Sequence, residues 1–206
     1  LNKLNHPILE QSFAIIDQEI GNHSFLPAEY AVIRRVIHAT ADFEFKELIR
    51  FNHEPIHQGI EAITQKKTII TDVNMVKQGI INLVNKTFKN NLISAIDFAP
   101  IATPGKTRTE TGMLQCLAKY PDGIYLIGNA PTALLAICHQ WENLPIKPSL
   151  IIGAPVGFVS VLESKEALAK LPIPQIIVEG RKGGSPVAAA IFNALLILAS
   201  EVTVTD

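Results

Sequence analysis

From residue 68 onward the chain alternates short apolar runs with longer helix-like segments, and few folds accept that rhythm. The runs are 68–72 (TIITD), 92–97 (LISAID), 123–128 (GIYLIG), 150–153 (LIIG) and 176–180 (IIVEG). Helix-like segments occupy 73–86, 107–120, 131–142, 164–171 and 185–201. Strands recurring roughly every 25 residues with a helix between them pair in parallel, because each helix carries the chain back to its starting edge. Runs this apolar are buried on both faces. The predicted fold is therefore α/β, three αβα layers around a mostly parallel sheet of about five strands. No repeat and no Ser/Gly-rich linker divides the chain, which reads as one domain over residues 1–206.

With 206 residues, 48% of them hydrophobic, the chain can bury a large core. Its formal charge of −1 gives no electrostatic case for a nucleic-acid partner. The longest apolar stretch, 187–199, is interrupted by Asn193 and falls short of a membrane span. The N-terminal LNKLNHP lacks the basic and apolar regions of a signal peptide, and the chain begins without Met, as a trimmed chain would. Cys116 and Cys138 form no CxxC and read as buried free thiols. The expectation is a cytoplasmic protein with no membrane partner and no metal site.

Before the rhythm begins, 7–20 reads as a helix with Asn5 as cap, Pro7 in the first turn and Gly21-Asn22 as its end. Phe13, Ile16 and Ile20 share one face, and Ser12 reads as a helix-surface serine. Residues 30–42 (YAVIRRVIHATAD) read as a second helix, with Val32, Ile33, Val36, Ile37 and Ala41 on its buried side and Thr40 and Asp42 just past its end. Arg35 and His38 are three residues apart and share a face. That pairs a fixed cation with the side chain type that titrates nearest neutrality. The stretch alone also fits a surface arginine and a satisfied histidine. Phe43 and Phe45 alternate briefly before a helix-like turn, which leaves that segment open. HEPIH, 53–57, matches the H-E-x-x-H zinc pattern, but Pro55 belongs in a helix's first turn and leaves His53 outside it, so zinc is disfavoured.

In sheets of this kind ligands collect beyond the carboxyl ends of the strands. The segments there are Asp72-Val73-Asn74-Met75, Asp97-Phe98-Ala99-Pro100 with Arg108 opening the next helix, and Gly128-Asn129-Ala130-Pro131-Thr132. They continue with Gly153-Ala154-Pro155-Val156-Gly157-Phe158 and Glu179-Gly180-Arg181-Lys182-Gly183-Gly184-Ser185. Glycine lets backbone approach a ligand, and N–H groups opening a helix attract anions. Arg181 and Lys182 beside such a start make RKGGS a carboxylate or phosphate seat. Any one loop fits ordinary turn chemistry; five on one edge favour a large ligand with several acidic groups. Neither G-x-G-x-x-G, G-x-x-x-x-G-K-[ST] nor G-x-S-x-G occurs.

SFAIID, RRVIHATADFEF, TIITDVNMV, GNAPTALL, GAPVGFVSVLESK and EGRKGGSPVAAAIFNALL, spread from residue 12 to residue 195, resemble the precorrin-8X (cobalt-precorrin-8) methylmutase family of vitamin B12 biosynthesis. The resemblance implies an isomerase that moves a methyl group from C11 to C12 of a corrinoid, giving hydrogenobyrinate or cobyrinate, with no separate cofactor. It implies a homodimer with substrate near the subunit interface. It places the family's catalytic histidine, of R-x-x-H, on His38, and substrate contacts on Arg35 and Ser12. Arg108 matches too, although KTRTETGM around it departs from the family pattern.

The expected site is thus His38 as acid or proton donor, with Ser12, Arg35, Thr40, Asp72, Met75, Arg108, Asn129, Thr132, Pro155, Val156, Gly157, Phe158, Arg181, Lys182, Gly183 and Gly184 around the substrate. Met75, Val156 and Phe158 would form an apolar floor for the ring. Two other readings stand beside it: a non-catalytic corrinoid carrier, and a nucleotide- or phosphate-dependent enzyme by fold analogy alone.

Overall fold

The structure is a computed structural model that describes residues 7–205; the expected cap Asn5 lies outside them. Helices α1 (Pro7–Ile20) and α2 (Pro27–Thr40) come first, followed by the single turn α3 (Phe45–Leu48), strand β1 (Ile49–Asn52) and helix α4 (Pro55–Thr64). The alternating half runs β2 (Ile69–Thr71), α5 (Asn74–Lys86), β3 (Leu92–Ser94), α6 (Ala95–Phe98), α7 (Arg108–Lys119), β4 (Ile124–Ile127), α8 (Pro131–Gln140), β5 (Leu150–Gly153), α9 (Val161–Ala169), β6 (Gln175–Val178) and α10 (Ser185–Thr205).

Among the described residues the sheet has six strands in the order β1-β6-β5-β4-β2-β3, one more than expected. β2 to β6 are parallel, and the added strand β1 lies antiparallel on β6, with Ile49 opposite Val178 and Asn52 opposite Gln175. Only Ile49 of its four residues is buried, so this edge strand carries no apolar run. Its direction has a consequence for function. β1 starts where β6 ends, so the end of α2 and all of α3 are delivered to the carboxyl edge of the parallel strands.

Side chains alternate across the strands and divide the core in two. Ile124, Leu126, Leu150, Ile152, Ile176 and Val178 face α1, α2, α4, α5 and α10. Ile70, Tyr125, Ile127, Ile151 and Ile177 face α7, α8 and α9. The three-layer expectation is met. Helix α10 departs from the reading of its sequence: at 21 residues it reaches the length and apolarity of a membrane span. Here it is the central core helix, with Val187, Ala188, Ile191, Phe192, Leu195 and Leu196 buried against the first layer.

Several boundaries shift for local reasons. Thr40 is the last residue of α2, and Ala41, expected on its buried face, is a left-handed cap at φ 53° whose N–H donates to the Ile37 carbonyl. The run 92–97 leaves the sheet after Ser94 and turns into α6. α9 begins three residues early, at Val161. His53 and Glu54 both have positive φ and precede α4, so HEPIH is not one continuous helix and His53 lies outside it. Burial pushes the Cys116 and Cys138 thiols up to about 12, and both are free.

Candidate active site

The strand order reverses between β2 and β4, because β3 lies on the outer side of β2 and β4 on its inner side. Asp72 sits at that switch point, where a crevice opens in such sheets. Its carboxylate is fully buried. One oxygen accepts from the N–H of Val73 at 2.9 Å and of Gly128 at 3.1 Å; the other accepts from Asn129 and Ala130, both at 2.7 Å. Burial raises its pKa while the four donors pull the other way. Asp72 was expected to touch substrate; it instead braces the loop after β4, because four converging N–H groups satisfy both of its oxygens. That loop presents Asn129, which is exposed, and leads into α8, where the Thr132 hydroxyl bonds the Thr107 hydroxyl at 2.9 Å.

Arg108 is spent similarly on the loop after β3. It donates to the carbonyls of Ala99 at 2.9 Å and Ile96 at 3.1 Å, closing the end of the short α6. Glu110 pairs with Lys106, and the Thr109 hydroxyl meets that of Thr107.

The loops after β5 and β6 form one unit. Gly157 donates to the Arg181 carbonyl at 3.3 Å, and Gly184 donates to the Ala154 carbonyl at 2.8 Å. Gly183 has φ 152°, and a Cβ there would sit 2.4 Å from the Ala154 oxygen. Only glycine fits both conditions. Pro155 is buried, whereas Phe158 is 84% and Val159 83% exposed, with Val156 half exposed beside them. The Arg181 guanidinium lies 5.7 Å from the Phe158 ring centroid. Met75, 69% exposed, opens α5 on the same edge.

Lys182 is not an open anion seat. Its ammonium donates to Asp42 at 2.5 Å and to Glu44 at 2.7 Å, which raises its pKa and lowers that of Asp42. The pairing ties the turn after α2 to the β6 loop. Sequence separation of 140 residues hid it.

His38 is exposed in the last turn of α2, and its ring meets Phe13 of α1 edge-on, centroids 5.7 Å apart. Arg35 and Phe13 both line a small cavity of about 110 Å3 that Arg34 and, from α10, Ala194, Leu198 and Glu201 also line. Burial and then the neighbouring Arg34 lower the Arg35 pKa. Arg34 itself pairs with Asp17 at 2.9 Å and packs over Phe13. Ser12, next to Phe13, is half-buried and back-bonds to the Ile8 carbonyl at 3.1 Å. Thr40 is occupied at the helix end, donating to Val36 and accepting from Asp42.

One residue was overlooked. Lys165 is buried, and its ammonium donates to the carbonyls of Gly180 at 2.7 Å and Lys182 at 2.8 Å. Desolvation lowers its pKa to about 8. The signal was available: Lys165 falls one turn from Val161 and from Leu168, on the helix face that must be buried. A larger apolar cavity of about 570 Å3, lined by Leu26, Phe51, Pro55, Ile56, His57 and Ile60, lies at the opposite end of α2 from His38.

The arrangement is an open edge rather than a closed cavity. An exposed imidazole, exposed apolar side chains and a cationic loop lie along the carboxyl edge of the sheet, and buried Asp72 and Lys165 grip the strand-end loops from beneath. The same chain is similar to proteins of known activity. The family profile described as precorrin-8X methylmutase matches residues 7–198. A cobalt-precorrin-8 methylmutase of Synechocystis sp. is 57% identical over 95% of this chain and 97% of its own length. One from Methanocaldococcus jannaschii is 44% identical over 86% and 83%. The crystal structure of a precorrin-8x methyl mutase from Thermus thermophilus superposes with a TM-score of 0.88 at 40% identity, over 95% of this chain and 96% of that one. The chain belongs to the precorrin-8X methylmutase family, and it is an isomerase.

Proposed function

We propose that the protein acts in cobalamin biosynthesis on precorrin-8X or its cobalt form, moving a methyl group from C11 to C12 of the macrocycle to give hydrogenobyrinate or cobyrinate. The observation that carries this is the Lys182 grip on Asp42 and Glu44, which sets the His38 turn beside the β5 and β6 loops. A corrinoid precursor presents an apolar ring rimmed by carboxylates. Met75, Val156 and Phe158 suit the ring. Arg181, Arg35, Asn129 and Ser12 suit the rim. In this reading Asp72, Arg108, Thr40, Thr132 and Lys182 hold the loops and helix ends, and Pro155, Gly157, Gly183 and Gly184 set the backbone.

His38, as imidazolium, gives a proton or a strong hydrogen bond to the macrocycle near ring C while the C11–methyl bond breaks and the C12–methyl bond forms. The reaction is an isomerisation, so the proton returns within the cycle. The remaining work is to hold the ring and stabilise the shifted charge.

The test is an absorption time course with precorrin-8X and with cobalt-precorrin-8, since the migration changes the conjugation. Wild-type protein converts one or both. H38A binds product with unchanged affinity and loses turnover by about 10²-fold or more. Unchanged turnover in H38A removes His38 as the acid. A perturbed spectrum at one corrinoid per chain without conversion would assign a carrier instead.

The reading includes a homodimer. Phe158 and Val159 are adjacent and exposed, and in this reading a partner chain beside the site would cover part of that apolar surface. Light scattering after size exclusion tests this; a monomer at micromolar concentration overturns it.

A further inference from the structure

The β6 loop carries two peptide groups whose orientation is set from inside the protein. Lys165 takes the carbonyls of Gly180 and Lys182. In a trans peptide the N–H points opposite to the C=O. The N–H groups of Arg181 and Gly183 therefore point away from the ammonium. Among the described residues nothing accepts a hydrogen bond from either. Between them the Arg181 carbonyl is held by the Gly157 N–H, and beyond them the Gly184 N–H is held by the Ala154 carbonyl. Arg181 and Gly183 are thus the donors of this loop whose direction Lys165 sets, just ahead of the 21-residue helix α10.

We propose that Lys165 is a positioning residue that turns the Arg181 and Gly183 N–H groups outward as a preformed two-donor seat for one carboxylate of the corrinoid substrate. The proposal rests on the corrinoid reading above. Lys165 touches no substrate. A buried ammonium with two carbonyl partners orients both peptides before substrate arrives, so the ordering cost is met during folding. An anion at this seat also meets the positive end of the α10 dipole and the Arg181 side chain.

The other charged groups around Lys165 are few. Glu166 follows it on α9. Glu179 of the β6 loop and Arg50 of β1 line the same cavity of about 260 Å3 and pair with each other at 2.8 Å. Arg181 and Lys182 belong to the loop itself, the latter held by Asp42 and Glu44. Among the described residues α8 contributes no charged group to that cavity wall. The amine loses its proton near pH 8, so the grip weakens as pH rises through that value.

The experiment is an absorbance titration of wild type, K165M and K165R with hydrogenobyrinate, with turnover measured alongside. In K165M the Kd and KM rise about 10-fold or more while kcat at saturation stays within about 3-fold. K165R restores affinity to within about 3-fold, because a guanidinium can span both carbonyls. Wild-type affinity falls between pH 7 and 9.5, and that of K165R does not. A folded K165M with wild-type Kd overturns the proposal while leaving the methylmutase reading intact. If K165M does not fold, a K165R profile that falls with pH as wild type does overturns it equally. Wild-type protein that neither binds nor converts corrinoid overturns the parent reading, and the proposal with it.

Discussion

Asp72 and Lys182 do the same kind of work in opposite settings. Each is an ionisable side chain that joins a strand-end loop to a distant segment. Asp72 is wholly buried and held by four backbone N–H groups, across a gap of up to 58 residues. Lys182 is exposed and held by two carboxylates, across 140 residues. Removing water makes each Asp72 bond strong and makes its loss costly. Lys182 keeps its water, so its pairs add little stability and chiefly set a position. The edge thus has a rigid side, braced at the switch point, and an adjustable side, where the His38 turn rests on the β6 loop.

The sharpest way to break the comparison is D72A. It strands four N–H groups around a small cavity and costs about 4 kcal/mol. For a chain of this size that lowers Tm by about 8–16 °C. Thermal and urea unfolding check it. A Tm within about 3 °C of wild type would show that water or loop movement replaces the carboxylate, and that the site is not rigid at the switch point.

G183A comes next and tests the rigid side where it meets the adjustable one. The new Cβ would lie 2.4 Å from the Ala154 oxygen and 2.8 Å from the Pro155 oxygen, both backbone, at a φ of 152°. Relief requires moving the chain, so the expected loss is about 2–3 kcal/mol. Corrinoid affinity should fall with it, since the strand-end loops shift together. A stable G183A with normal affinity would mean that the β5 and β6 loops are not one unit.

The contrast also explains which parts of the molecule were legible in the sequence. The parallel core was, because its strands are buried on both faces and so consist of little but Ile, Leu, Val and Tyr. β1 was not, because Arg50 and Asn52 interrupt it and only pairing with β6 defines it. The polar residues of the edge were read as a set of ligand contacts, yet Asp72, Arg108, Thr40 and Lys182 are engaged within the protein. A carboxylate at a strand end looks the same in sequence whether water, substrate or four N–H groups meet it. Long-range partners decide, and pattern along one segment contains none of them. Lys165 is the exception that helical periodicity could have exposed, since a cation among Val161 and Leu168 needs buried acceptors.

K182M is the smallest expected effect on stability and the most informative about the adjustable side. Asp42 has its pKa lowered by Lys182, so its contribution is present above the ordinary carboxylate range and is lost as pH falls below it. Lys182 has its pKa raised by the two carboxylates, so its contribution is present below the ordinary lysine range and is lost as pH rises beyond it. Any difference between wild type and K182M is therefore flat from about pH 5 to 9 and closes only outside that window. Within it, Tm should agree to within about 2 °C, as for other exposed substitutions. Turnover should not agree. Without the grip the α2 end is free to drift from the β6 loop, and a misplacement of even about 1 Å costs rate at a centre that works by positioning. The expectation is a kcat about 5-fold lower at saturating substrate, and added salt should bring wild type toward the K182M value by screening the exposed pairs. Equal kcat in the two proteins would show that Phe13 alone holds His38 in place and that the edge is rigid on both sides.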